Sequence, residues 1–370
     1  MEVIGVGIAI IDVIQEVEAY PEEDSKVHPP YLKGMPFDIG CLLFCLIRSL
    51  AVRKCRGGNV ANALVVCAQL GGRCRWLGVS TDPAKDCDAA FVHNDLSTFG
   101  VDCSLASIEA EGSMPVSVSI RSVTFKLNSD IVRPQYILSS RTTGSRTIVN
   151  SRNLCELSYE AFLRQLTLYR RETQDDRVWF HFEGRNLGEA EKMMLFVREK
   201  MPDAKISLEI EATRNGWDPA RKLISMADYI FLSKDYLREK LGFPSAKHFF
   251  AAVTAKQWGP QLTNHSRAFI CPWGAEGVYC LDVYTSEMHH VAGARLDKVV
   301  ETIGAGDSFI GASLAGLSFG NVSLDAVLRT ACEVAGAKCS QQGFAIPVKD
   351  QTTWKKSFQC HGNGVGAGAA

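Results

Sequence analysis

Residues 301–309, ETIGAGDSF, set an acid directly behind a run of small residues and ahead of the apolar stretch IGASLAGLSFG. Gly304, Ala305 and Gly306 leave backbone amides uncovered. The first amides of a helix lack intrahelical acceptors and carry positive partial charge. Such a turn can receive a phosphoryl group, and Asp307 in the first helical turn could take a proton from an alcohol. Taken alone, a G-x-G-D stretch is more often an acid that complements the helix dipole, worth about 0.3–1 kcal/mol. A second stretch, RGGNVAN (56–62), has Asn59 and Asn62 three apart at a helix start, hence on one face. Two amides offer four donors and two acceptors, which suits a polyhydroxylated ligand, and Gly57 and Gly58 permit close backbone approach. The alternative is a glycine turn with Asn59 as an N-cap. Asp12 follows an apolar strand, and HFEGRN (181–186) puts Glu183, Arg185 and Asn186 behind another. Open α/β sheets bind ligands outside the carboxyl ends of their strands. Turns held by local acids or ion pairs read equally well at both places.

The elements that must position these residues follow from periodicity. VIGVGIAI (3–10) reads as a buried strand, residues 56–71 as a glycine turn and helix, 73–80 as a strand and 85–100 as a helix. From residue 177 onward strand and helix alternate: RVWFHF, GEAEKMMLFVREK, KISLEIE, DYIFLS, RAFICPWG and GVYCLD, then helices over 305–319 and 323–339. That order predicts a parallel sheet with helices on both faces. Short alternating segments within 12–30 and 114–150 predict a smaller antiparallel sheet set apart from it.

Composition narrows the function. The 370 residues are 46% hydrophobic and 22% charged, with a formal net charge of −1, so no basic face points to nucleic acid. Thirteen scattered cysteines without a C-x-x-C pair argue against a zinc site and a secreted disulfide framework, and predict a cytoplasmic protein. The apolar run IGCLLFCLIRSLAV (39–52) is too short to cross a bilayer, and Arg48 interrupts it. GVGIAI (5–10) starts like a dinucleotide fingerprint but has Ile10 where the third glycine belongs. No P-loop, H-E-x-x-H or G-x-S-x-G motif occurs.

Together, RGGNVAN and ETIGAGDSF resemble the two signatures of the ribokinase-like carbohydrate kinase family. PEEDSK (21–26), HFEGRN, FLSKDYLREKLGF (231–243), CPWGAEG (271–277) and CEVAGAKCSQQGF (332–344) resemble its ketohexokinase branch. The resemblance implies a three-layer α/β/α sandwich over 1–344, with a mainly parallel central sheet and a small β-sheet lid from roughly 12–56 and 112–150. It implies transfer of the γ-phosphoryl group of ATP to the C1 hydroxyl of fructose. Asp12, Gly58, Asn59 and Asn62 would hold the ketose, and Asp307 would be the catalytic base. Arg146 would reach the ATP phosphates from the lid. Pro272, Trp273, Gly274 and Ala275 would border the nucleotide, as would Gly304, Ala305 and Gly306, which would also form the anion hole. Magnesium would travel with ATP, and the lid would form a homodimer. Another sugar or nucleoside kinase, or an idle sugar-binding protein, remains the alternative.

The pattern breaks in two places. Residues 28–54 and 121–141 are longer than the family's lid segments, and the first is far more apolar. They read as translated introns or as lineage-specific loops. Residues 345–370, ending in GNGVGAGAA, read as a disordered tail.

Overall fold

The structure is a computed structural model that describes residues 1–17, 51–122, 137–140, 149–151, 153–173, 177–258 and 260–359. Contacts divide these into two units. One comprises residues 1–9, 57–112 and 154 onward, and the other residues 10–56 and 113–153 as far as they are described.

The strands are β1 Glu2–Val6, β2 Ile10–Val17, β3 Ala51–Gly57, β4 Arg73–Leu77, β5 Val79–Thr81, β6 Val101–Asp102, β7 Ser107–Glu109, β8 Val116–Ser122, β9 Ile137–Ser140, β10 Val149–Ser151, β11 Val178–Glu183, β12 Lys205–Ile210, β13 Tyr229–Leu232, β14 Ala268–Pro272, β15 Val278–Asp282 and β16 Met288–Val291. The helices are α1 Asn59–Gln69, α2 Cys87–Thr98, α3 Tyr159–Glu172, α4 Leu187–Lys200, α5 Trp217–Ile224, α6 Ala246–Thr254, α7 Ala305–Phe319, α8 Leu324–Cys339 and α9 Val348–Gln359.

The first unit is built on a nine-stranded sheet in the order β16-β15-β14-β13-β12-β11-β1-β4-β6. Its strands pair in parallel from β14 to β6, and β15 and β16 close one edge antiparallel. β11 is buried along its whole length, and β12 at every position but its first. Strands covered on both faces need continuous apolar runs, and VWFHFE and KISLEI supply them. From β1 the chain crosses through α1 to β4 on one side; from β11 it crosses through α4 and α5 to β12 and β13 on the other. Right-handed crossovers in opposite directions put their helices on opposite faces. A three-layer α/β/α sandwich results, and the strand order reverses between β1 and β11.

α7 packs between α1 and α8. It is buried continuously from Ser308 to Ser318, as a helix enclosed by others must be.

The second unit is a sheet in the order β10-β8-β2-β3, with β9 also on β8. It is mixed rather than antiparallel: β2 and β9 both run parallel to β8, and β10 antiparallel to it. β2 and β8 lie about a hundred residues apart in the chain, so no hairpin dictates their direction. Of the two atypical segments, residues 51–54 form part of β3, 121–122 the end of β8, and 137–140 β9. The rest lies outside the described residues, as do 144–148 of the strand expected over 144–150.

Three other expectations change. The strand expected over 3–10 ends at Val6, and Ile10 starts β2. Gly7 leaves the ladder there, its amide on Leu77 O at 3.3 Å and its carbonyl accepting from Trp76 Nε1 at 3.0 Å. The strand expected over 73–80 divides into β4 and β5 around Gly78. The tail is ordered as far as α9, where Trp354 and Phe358, four apart on one helical face, are both buried.

Candidate active site

The carboxyl ends of β1, β11, β12 and β14 lie along one edge of the parallel sheet, and the reversal between β1 and β11 marks the crevice where such sheets take ligands. Ile8 N, just beyond β1, donates to Glu183 Oε2 at 3.1 Å, which ties the two strand ends together. Glu183 Oε1 also accepts from Arg185 Nε at 2.9 Å, so the HFEGRN turn is held by an ion pair.

α1 starts at the same edge. Gly58 is its N-cap residue at φ 100° and offers no side chain. Asn59, left without a capping duty, turns its Nδ2 to Glu211 Oε2 at 2.7 Å and to both oxygens of Glu209 at 3.3 Å. Burial pushes the Glu209 carboxyl well above the usual carboxylate range, and the charges of Glu211, Asp307 and Glu183 push it further, against the Asn59 hydrogen bond.

α7 brings the second signature to the first. Asn62 Nδ2 donates to Asp307 Oδ2 at 2.7 Å, across 245 residues of chain. Asn62 is 5% exposed and Asp307 half-buried, so the pair sits at a rim. Gly304, at φ 78°, turns the chain into α7 in the left-handed region that favours glycine. The i→i−4 ladder begins with Ser308 N on Gly304 O at 2.9 Å, so the Gly306 amide precedes it. A β-carbon on Gly306 would meet nothing within 4 Å. An acid, an amide donor and an open helix tip can together orient a hydroxyl beside an anion.

Pro272 ends β14, and Trp273, Gly274 and Ala275 make the turn into β15, closed by Trp273 N on Gly277 O at 2.7 Å. Trp273 is buried beneath Lys234, whose Nζ lies 5.6 Å from the ring centroid. Asp12 belongs to the second unit, where it is the third residue of β2 opposite Ser117 of β8. Arg146 lies outside the described residues.

The pfkB family carbohydrate kinase model matches residues 211–351. Ketohexokinase of Mus musculus is 30% identical over 351 residues, which cover 93% of this chain and 97% of the relative. The chain belongs to the pfkB family of carbohydrate kinases. Its fold is shared with ribokinase from Giardia lamblia, at TM-score 0.70 and 12% identity over 96% of this chain and 99% of that one. It is shared likewise with Arabidopsis thaliana ribokinase complexed with ribose and ATP, at TM-score 0.67 and 15% identity over 96% and 98%.

This pfkB kinase is therefore a phosphotransferase with an alcohol group as acceptor, built on a ribokinase-like fold. No helix among its described residues is long and apolar enough to cross a membrane. Two acids of the site were not singled out in the sequence, Glu209 and Glu211. The signal was present: ISLEIE puts two acids at the end of an otherwise buried strand, at the carboxyl edge where this kinase gathers its polar residues.

Proposed function

We propose that the chain is an ATP-dependent ketohexokinase that transfers the γ-phosphoryl group of ATP to the C1 hydroxyl of fructose, giving fructose 1-phosphate and ADP. The observation that carries this reading is the 2.7 Å hydrogen bond between Asn62 and Asp307, which joins a sugar-type amide to the acid of the GAGD turn. The mouse ketohexokinase relative supports the choice of ketose.

Phosphoryl transfer asks little covalent work of a protein, and positioning with charge stabilisation supplies the rate. Gly58, Asn59 and Asn62 hold the ketose hydroxyls, with Glu209 and Glu211 fixing the rotamer of Asn59. Asp307 orients the primary hydroxyl and accepts its proton late, when the oxygen has become acidic, so a strong base is not required. The amides of Gly304 and Gly306 receive the charge on the transferring group, whereas the Ala305 amide, expected to be uncovered, donates to Thr302 O at 3.2 Å. Pro272 to Ala275 border the nucleotide.

Among the described residues no three His, Cys, Asp or Glu side chains are grouped to hold a metal ion. Those described residues build no cage for magnesium, which would travel with the ATP phosphates. The free-thiol cysteines buried at Cys67, Cys74, Cys271 and Cys280 favour a cytoplasmic setting.

Coupled ADP release with fructose, ribose, adenosine and fructose 6-phosphate tests the reading. Fructose should be turned over best. Preference for ribose or adenosine makes the chain another kinase of its family, and fructose binding without ADP release makes it an idle sugar-binding protein.

A further inference from the structure

The GAG turn is not held by its own residues alone. We infer that Lys338, acting through Glu301 and Phe344, is a positioning residue that fixes the Gly304–Gly306 turn for phosphoryl transfer. The inference rests on the reading of that turn as the anion hole.

Lys338 lies in the last turn of α8 and is 3% exposed; Glu301, on the segment leading into the turn, is 6% exposed. Lys338 Nζ donates to Glu301 Oε2 at 2.9 Å, and Gly343 N donates to the same oxygen at 3.2 Å. The backbone repeats the connection: Val300 N and Glu301 N both donate to Cys339 O, at 2.7 and 3.1 Å. The segment entering the turn is thus fastened to the carboxyl end of α8 by side chain and main chain together.

Phe344 carries the fastening to the turn itself. The ammonium of Lys338 stands 5.3 Å from the centroid of its ring, within cation–π range. The Cζ edge of the ring lies against Gly304, where a β-carbon would fall 2.2 Å from Phe344 Cζ. The loop cannot swing away, because Gln69 of α1 donates to Phe344 O at 2.8 Å and accepts from Ile346 N at 2.7 Å. Gly304 therefore sits against a ring whose position is set by α1 on one side and by the Lys338–Glu301 pair on the other.

A buried ion pair contributes little net stability, because desolvation of two charges offsets their attraction. Its directional hydrogen bonds still fix one arrangement of the groups around it. A turn whose amides must meet a developing charge depends on such placement, since a 1 Å error in a reacting geometry can cost about a hundredfold in rate. Lys338 and Phe344 share a small cavity with Val66, Ser308 and Trp354, so a methionine at 338 fits without overpacking.

The test combines amide hydrogen exchange over residues 301–309 in the ligand-free chain with steady-state kinetics, for Lys338→Met, Lys338→Arg and the double variant Lys338→Met/Glu301→Gln. The double variant leaves no buried charge unpaired and keeps the chain folded if the single one does not fold. Exchange over 301–309 should quicken about tenfold or more in the methionine variants while the α1 amides keep their protection. kcat per folded molecule should fall about 10- to 100-fold with sugar KM nearly unchanged, and Lys338→Arg should recover part of it. Unchanged exchange over 301–309 in the double variant overturns the inference whatever sugar is phosphorylated. So does a double variant with wild-type kcat. Failure of wild-type protein to phosphorylate fructose overturns the ketohexokinase reading alone, because the exchange measurement needs no substrate.

Discussion

Gly311 of α7 faces the carbonyl of Ala63 on α1 so closely that a β-carbon there would lie 2.3 Å from that oxygen. The contact is backbone to backbone, with no side chain free to yield. It sits one helical turn past Asp307 on one helix and one residue past Asn62 on the other, so it sets the spacing that their hydrogen bond requires.

Gly311→Ala should force the two helices apart. Overpacking of this kind costs about 1–3 kcal/mol, so the melting temperature should drop. kcat should drop further than the loss of folded protein explains, because Asn62 and Asp307 separate. Lowered stability with unchanged kcat per folded molecule would show that turnover does not depend on their spacing.

On the proposed role of Asp307 as base, Asp307→Asn should lower kcat by about 10²–10⁴. The asparagine oxygen still accepts from Asn62, so sugar affinity should stay within about threefold of wild type on the same principle that uniform binding and catalysis separate. Equilibrium sugar binding beside single-turnover kinetics checks both halves. Near-full activity would remove Asp307 from the chemistry.

Glu209 makes stability depend on pH in a definite direction. Its carboxyl titrates above the ordinary range in the folded chain through burial and the acids around it. Above the unfolded pKa of about 4.3, the native state therefore holds a proton that the unfolded state has released. Stability falls as pH rises through that window. Glu209→Gln keeps an acceptor for Asn59 and removes the titration. Its melting temperature should match wild type near pH 4 and exceed it as pH rises above the unfolded pKa, the gap levelling off once the folded carboxyl ionises. Parallel curves across that range would contradict the assignment.

His181 acts in the opposite direction. It is fully buried in β11, its Nδ1 is 2.9 Å from Ser207 Oγ, and its Nε2 has no partner. Burial pushes its pKa down to about 3. Below pH ~6.5 the unfolded chain takes up a proton that the folded chain refuses, so this histidine removes up to about 1.4 kcal/mol of stability per pH unit between there and pH ~3. His181→Phe should flatten the acid limb of a denaturation series by that slope. An acid limb equally steep in the variant would place the loss elsewhere.

The RGGNVAN and GAGD stretches stood out in the sequence because small residues, amides and an acid at fixed spacing have few uses together, and α7 and α8 carry their own start and stop signals. What escaped reading depended on long-range pairing. VIGVGIAI is apolar throughout, and nothing in it announces that the chain leaves the sheet at Gly7 to begin a second sheet at Ile10. The parallel pairing of β2 with β8 has no local cause. Nothing in the sequence announces that the fold buries Glu209 against Asn59, or that Glu301 meets Lys338 from 37 residues away. The amphipathic spacing of Trp354 and Phe358 was masked by the glycines that follow it.

α9 bears on how the protein is handled at the bench. Phe358 lies against Gly316 and Phe319 of α7, and Trp354 Nε1 bonds to Glu333 of α8 at 3.1 Å. An expression boundary drawn after Phe344, where the family motifs stop, would strip this cover and bare the far end of the very rod whose tip bears Asp307. Recombinant material cut there would aggregate, and its silence in an assay would say nothing about the chemistry.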